Sequence, residues 1–358
     1  MIPAAKPFIG AEERAAVDRV LASGMLAQGP EVAAFEQEFS AVVDGRECVA
    51  VNSGTSALHM AFLAAGIKAG DEVIVPSFSF AATANAVALA GATPVFADIE
   101  GDQFNLDPAA AEAAITPRTR AIMPVHLYGH PANMVAFTEL AERRDLLLFE
   151  DAAQAHAASL NGTAVGAFGI AGSFSFYPTK NMMSGEGGMV STGSAEVARN
   201  IRLLRNQGME KRYANELIGF NTRMTDIHAA IGRVQLGRLA GWTSARQANA
   251  AFFDANLEGV VVPPVAAGAV HVYHQYTIRI VGHDRDAFAA ALAERGVGAG
   301  VYYPTPIHRL PSFQQELDLP VTERVATEVL SLPVYPSLTE AEREHIVEAV
   351  NAVAQAGA

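Results

Sequence analysis

Gly172-Ser173-Phe174-Ser175-Phe176-Tyr177-Pro178-Thr179-Lys180 is a buried, β-rich approach that ends on one lysine. A small, glycine-rich stretch, Ser184-Gly185-Glu186-Gly187-Gly188, lies just beyond it. A lysine delivered into a site by apolar strands is a candidate for a depressed pKa and for Schiff-base chemistry. Its partner lies upstream. The strand-like run Leu146-Leu147-Leu148-Phe149 stops at Glu150-Asp151, followed by Ala152-Ala153-Gln154-Ala155-His156. This spacing predicts an acid at the exit of one buried strand and a lysine just past another.

Working outward, short apolar runs alternate with helical segments between residue 46 and about 193. The runs are Cys48–Val51, Glu72–Val75, Pro94–Ala97, Ala121–Val125, Leu146–Phe149, Ser173–Phe176 and Met189–Ser191. Near-continuous apolar strands separated by helices predict an α/β fold with a mostly parallel sheet covered on both faces. Ligands of such sheets gather at the carboxyl ends of the strands, where Asp151 falls. Upstream, helices are expected at Ala11–Ser23 and Glu31–Val43, with Gly24–Pro30 as the loop between them. A long helix from Met224 to about Asn256 leads into a smaller C-terminal α+β domain. There we expect strands at Val260–Val262, His274–Ile280 and Ala299–Tyr303 and helices at Arg285–Arg295 and Glu340–Val353. The division is drawn at residue 240, giving a large domain over 1–240 and a small one over 241–358.

Composition narrows the function classes. The 358 residues are 50% hydrophobic and 18% charged, so large-scale disorder is excluded. A formal net charge of −13 and the lack of a basic cluster argue against a nucleic-acid partner. Cys48 is the only cysteine, which excludes intramolecular disulfides and cysteine-based zinc sites and fits a reducing cytoplasm. Its place in Glu47-Cys48-Val49-Ala50-Val51 reads as strand filling. Met1–Val20 has no apolar segment of the signal-peptide kind. The uncharged stretch Val73–Ala97 is broken by Pro76, Gly91 and Pro94 into strand and helix lengths, so no membrane span is expected.

An acid at a strand exit joined to a downstream lysine suits pyridoxal phosphate: the carboxylate holds the pyridine nitrogen protonated and the lysine holds the aldehyde. The turn Asn52-Ser53-Gly54-Thr55-Ser56-Ala57-Leu58 opens a helix whose N-terminus favours a phosphate, although a plain helix cap reads equally well. Ser175 can supply a hydroxyl to that phosphate or serve simply as a strand serine. Phe80 can stack on a ring, though an aromatic in an apolar run is usually core. Gln154, three residues past Asp151, faces the same side if a helical turn starts there. His156 reads as a partner orienting Asp151 or as a satisfied core histidine. Asp151, His126 and His156 lack metal-ligand spacing, and no metal is expected.

Four ordered motifs carry a resemblance: Ser53–Leu58, Glu150–Gln154, Ser173–Lys180, and Gly219-Phe220-Asn221-Thr222-Arg223-Met224-Thr225-Asp226. Together they resemble the DegT/DnrJ/StrS family of pyridoxal-phosphate-dependent sugar aminotransferases, with the aspartate aminotransferase-like fold, from Gly29-Pro30-Glu31-Val32 to Tyr303–His308. The resemblance implies Lys180 as the Schiff-base lysine, Asp151 as the pyridinium partner and Gln154 as a ligand near the ring. It implies Gly54, Thr55, Ser56 and Ser175 as the phosphate cradle and Phe80 as the stacking aromatic. Asn221 would reach the phosphate from the other subunit, making a homodimer with shared sites. Tyr177 and His308 would approach the sugar nucleotide, with Arg223 and Arg309 as candidate cations.

The implied reaction moves an amino group from an amino acid, glutamate by resemblance, to a nucleotide-linked keto sugar. Lys180 sets the chain apart from family members that carry histidine there and dehydrate sugars. Tyr177 leans towards a 3-keto sugar, since histidine is frequent there in members acting at C4. The alternatives are a 4-keto sugar, a cyclitol ketone, and a non-catalytic sensor that only binds the cofactor. A nicotinamide-cofactor oxidoreductase is disfavoured, because no Gly-x-Gly-x-x-Gly follows the first strand.

Overall fold

The structure is a computed structural model that describes residues 1–357. Its centre is a seven-stranded sheet in the order β1-β9-β8-β5-β4-β2-β3. The strands are β1 (Glu47–Val51), β2 (Glu72–Pro76), β3 (Thr93–Ala97), β4 (Thr119–Ile122), β5 (Leu147–Asp151), β8 (Ala171–Ser175) and β9 (Gly188–Thr192). Pairing is parallel from β3 through β2, β4 and β5 to β8. Only β9 runs against its neighbours, β8 and β1. The short pair β6 (Ser159–Leu160) and β7 (Thr163–Ala164) forms a side sheet with β10 (Ala269–Val270).

Burial follows the pleat. Along β1, Val49 and Val51 pack into a core with Phe62, Phe149 and Ile201, whereas Cys48 and Ala50 face a second core with Phe35, Phe39, Phe174 and Phe176. The first core is closed by α3 (Gly54–Ala64), α4 (Ala82–Leu89) and α7 (Ala195–Arg205). The second is closed by α2 (Pro30–Phe39) and the first half of α8 (Asp226–Asn256). Helices α5 (Pro108–Ala113) and α6 (Met134–Arg144) cover the β4 side, and α1 (Ala11–Ser23) packs along α8. Two-sided cover explains why the strands read as continuous apolar runs.

The expected helix over Glu31–Val43 is divided into α2 and a 3-10 turn, Ser40–Val43, that ends on Asp44 at φ 54°. Pro30 opens α2, and Asp226 supplies its cap from a distance. The buried Asp226 carboxylate accepts the N–H groups of Gly29 (2.8 Å), Val32 (3.0 Å) and Glu31 (3.3 Å). A hydrogen bond to a charged group contributes about 1.5–3 kcal/mol, so this anchor ties the start of α8 firmly to the start of α2. Gly29 is required there, since a Cβ would stand 2.6 Å from an Asp226 oxygen.

The C-terminal part contains β11 (Tyr276–Arg279), α9 (Arg285–Glu294), α10 (Pro320–Glu328), β12 (Val329–Leu332) and α11 (Glu340–Ala356). β11 pairs with β12, and single bridges from Val261 to Arg279 and from Gly300 to Ser331 widen this pair. The strand expected at Ala299–Tyr303 is therefore reduced to one bridge. Gly298 and Gly300 weaken strand pairing there, and Tyr302 and Tyr303 turn into a cavity instead. The division at residue 240 falls inside α8. Supporting it as a proposal, Ala229 and Leu239 pack with the sheet, while Ala250 and Phe253 pack with Tyr276, Phe288 and Val350. Ile2 joins that second core and bridges to Val297, so the first residues cross to the C-terminal part. Among the described residues no helix is long and apolar enough to cross a membrane.

Candidate active site

A cavity of about 520 Å³ opens at the carboxyl ends of β5 and β8. Gly54, Thr55, Phe80, Asp151, Gln154, Ser175, Tyr177 and Lys180 all line it. Sequence-distant candidates thus converge on one space. Ser56 does not line it; its backbone N–H and hydroxyl are engaged by Ser53, whose side chain caps α3.

Asp151 is the last residue of β5, and its neighbour Glu150 points to the opposite face, as strand alternation requires. The Asp151 carboxylate is buried and accepts the Thr83 hydroxyl at 2.8 Å and the Ala153 N–H at 3.1 Å. Thr83 is fixed by Ser79, hydroxyl to hydroxyl at 2.8 Å. Burial pushes the Asp151 pKa up, against the pull of Thr83, Ala153 and Lys180. Asp151 makes no ion pair within 4 Å among the described residues, so a cation placed beside it would favour its charged form.

Glu150 has a structural part. Its carboxylate accepts N–H groups from Gly166 (2.7 Å), Phe168 (2.8 Å) and Gly169 (2.9 Å) and meets His126 Nε2 at 3.1 Å. Burial raises its pKa, but His126 and these amides together hold it below the usual range. His126 therefore serves Glu150. The expectation that His156 orients Asp151 is corrected: neither ring nitrogen of His156 has a hydrogen-bond partner, and its ring lies among Phe174 and Phe176. Thr83 takes that part. It was missed because a threonine in the first turn of a helix reads as filler; its place three residues after Phe80 was the available signal.

Lys180 keeps some surface towards the cavity yet is surrounded by protein. Burial lowers its pKa to about 8, opposed by Asp151. Gln154 is pinned at both ends, accepting the Tyr128 N–H at 2.7 Å and donating to the Tyr303 hydroxyl at 3.0 Å. Gly54 permits the close approach of α3 to β8, because a Cβ there would stand 2.6 Å from Ser175 Cβ. Phe80 is not core: its side chain is 57% exposed at the cavity and tilts against Tyr303, with ring centroids 5.9 Å apart. Tyr177 is also exposed there.

Four expected contact residues lie elsewhere in this subunit. His308 is fully buried, paired with Ser77 Oγ at 2.6 Å and Glu323 at 3.3 Å, and does not line this cavity. Arg309 is occupied by Glu316 and Glu323. Asn221 is exposed outside the cavity, and Arg223 donates to Asn206 Oδ1 at 3.0 Å. Among the described residues no cluster of three His, Cys, Asp or Glu could hold a metal. Cys48 is buried in β1, its pKa pushed up to about 12, so its thiol is inert packing.

Residues 7–351 match the model of the DegT/DnrJ/EryC1/StrS aminotransferase family. The chain belongs to that family. It is a pyridoxal-phosphate-dependent sugar aminotransferase with the aspartate aminotransferase-like fold. It is 43% identical to the dTDP-3-amino-3,4,6-trideoxy-alpha-D-glucose transaminase of Streptomyces venezuelae, over 98% of this chain and 94% of that protein. It is 42% identical to a protein of Geobacillus stearothermophilus named pleiotropic regulatory protein, over 93% of this chain and 92% of that one. The solved structure of S. venezuelae DesV in complex with a ketimine intermediate superposes with a TM-score of 0.93 at 43% identity, covering 96% of this chain and 95% of that one.

The lowered Lys180 pKa has a direct readout. Covalent capture of an aldehyde needs the neutral amine, so the rate of pyridoxal phosphate attachment to the apoprotein should rise through about pH 8 and then level. Stopped-flow absorbance across pH 6–11 measures it. A rate that climbs only near 10.5, the ordinary lysine value, would contradict the burial argument.

Proposed function

We propose that the protein transfers an amino group from glutamate to C3 of a keto sugar carried by a nucleotide. The observation that supports it best is the convergence of Lys180, Asp151, Gln154, Ser175 and the first turn of α3 on one cavity. That set fits pyridoxal phosphate: a lysine of lowered pKa, a buried acid without a cation, and a helix start narrowed by Gly54. Bound there, the cofactor supplies an aldehyde and an electron-accepting ring.

In this reading Lys180 Nζ holds the aldehyde and, once released, carries the proton taken from the donor's α-carbon. Asp151, oriented by Thr83, keeps a proton on the ring nitrogen. Gly54, Thr55 and Ser175 form the phosphate cradle, with Ser56 joining it only if it is released from Ser53; Phe80 stacks on the ring, and Gln154 lies beside it. Tyr177 meets the substrate, and Arg223, outside the cavity of its own subunit, would meet it only from a second copy. The lean to C3 rests on Tyr177 and on the 3-amino sugar in the name of the S. venezuelae relative. The buried, free Cys48 suits a reducing compartment, and we place the protein in the cytoplasm.

Asn221 and Arg223 lie outside the cavity of their own subunit, so we propose that Asn221 completes the phosphate site of a second copy in a homodimer.

Mass spectrometry of nucleotide-linked 3-keto and 4-keto sugars incubated with holoenzyme and glutamate tests the reaction. A mass change to the amino sugar is expected, fastest for a 3-keto substrate. Asp151→Asn should slow it about a hundredfold or more, the scale of losing one electrostatic stabiliser. Equal or faster turnover of 4-keto sugars removes the C3 assignment, and no amination of either removes the reaction. The shared site is tested by mixing inactive Lys180→Ala and Asn221→Ala subunits. One heterodimer site then carries both lesions and the other neither, so activity should partly return; verified heterodimers that stay inactive would refute sharing.

A further inference from the structure

A second cavity, of about 230 Å³, lies on the other side of Lys180 and shares Thr179, Lys180, His274 and Gln275 with the first. Its remaining wall is built from the first residues of the chain, α8 and the segment after β12. Its charge is unusual for an acidic protein. Lys6, Lys180 and Arg246 line it, and no aspartate or glutamate does.

Arg246 carries the argument. Its side chain is buried, and among the described residues its acceptors are the carbonyls of Tyr273 (3.0 Å) and His274 (3.4 Å), both taken by Nη1. Nε has no acceptor among the described residues. Among them, no carboxylate pairs with this guanidinium within 4 Å. Burial lowers its pKa to about 10, which leaves it cationic at neutral pH. A buried charge without a counterion is costly unless an anion meets it, and a guanidinium presents its donors in a fork matched to a carboxylate. Lys6 stands across the space with its Nζ 5.9 Å over the Tyr335 ring; among the described residues it makes no ion pair within 4 Å, though Glu342 feels its charge.

We propose that the Lys6–Arg246 cavity is a subsite for a carboxylate of the amino donor, and that it selects dicarboxylic amino acids. The proposal rests on the aminotransferase reading and adds the place where the donor is held. Because Lys180 borders both cavities, a donor carboxylate here would leave the 520 Å³ cavity to the sugar. The two substrates of an alternating reaction would then be recognised by different walls around one lysine.

The probe is glutarate, a dicarboxylate with no amine to transfer, titrated into holoenzyme by calorimetry, with butyrate as the single-carboxylate control. Glutarate should bind at least tenfold more tightly than butyrate. Arg246→Gln should weaken glutarate at least tenfold. Lys6→Glu, at an exposed position that does not threaten folding, should weaken it at least fivefold while leaving nucleotide-sugar affinity within twofold. Glutarate that fails to bind, or binds Lys6→Glu within twofold of the parent, overturns the subsite whatever Arg246→Gln does. The two readings fail separately. Glutarate binding that depends on Lys6 without any sugar amination keeps the subsite and removes the acceptor, whereas amination with Lys6-independent binding removes the subsite alone.

Discussion

The structure turns on a carboxylate placed where water cannot solvate it. Asp151 ends the central strand β5, flanked by β4 and β8, and its charge is supported by one hydroxyl, one amide and the nearby Lys180. Each support comes from a different element: Thr83 from the start of α4, Ala153 from the turn after β5, and Lys180 from the loop beyond β8. The sheet order is what brings them together. An acid held this way is poised to favour a cation beside it, and a lysine held this way is poised to lose its proton.

Strand alternation divides the work of two adjacent acids. Glu150 faces the loop Gly166–Gly169 and is satisfied by three amides and His126, so its charge is consumed in holding β5 to its surroundings. Asp151 is left with capacity to spare. The same economy governs Gly54, whose missing side chain lets the start of α3 sit against Ser175. At the other end of the fold, Asp226 seats α8 on α2.

Much of this was legible in the chain. Continuous apolar runs separated by helices gave the parallel sheet, because burial on both faces leaves no polar alternation to read. Lys180 and Asp151 were legible because charges at the ends of such runs stand out. The rest depended on contacts between distant segments. The pairing of Thr83 with Asp151 spans 68 residues and that of Gln154 with Tyr303 spans 149, and neither leaves a local pattern. The burial of His308 was not legible, because it comes from Ser77 and the region of Glu323, not from its own flanks. Ala299–Tyr303 misled because Tyr302 and Tyr303 serve a cavity wall while Ala299 and Val301 pack against the C-terminal core. The unpaired charge of Arg246 was invisible to any local reading, since only the fold shows that no acid among the described residues pairs with it.

The most direct test of the central claim, that Asp151 exists to keep a proton on the cofactor ring, is nitrogen NMR of holoenzyme loaded with pyridoxal phosphate labelled at the ring nitrogen. The account predicts a protonated ring nitrogen in the parent enzyme at neutral pH and an unprotonated one in folded Asp151→Ala. A ring nitrogen that stays protonated without Asp151 would contradict it.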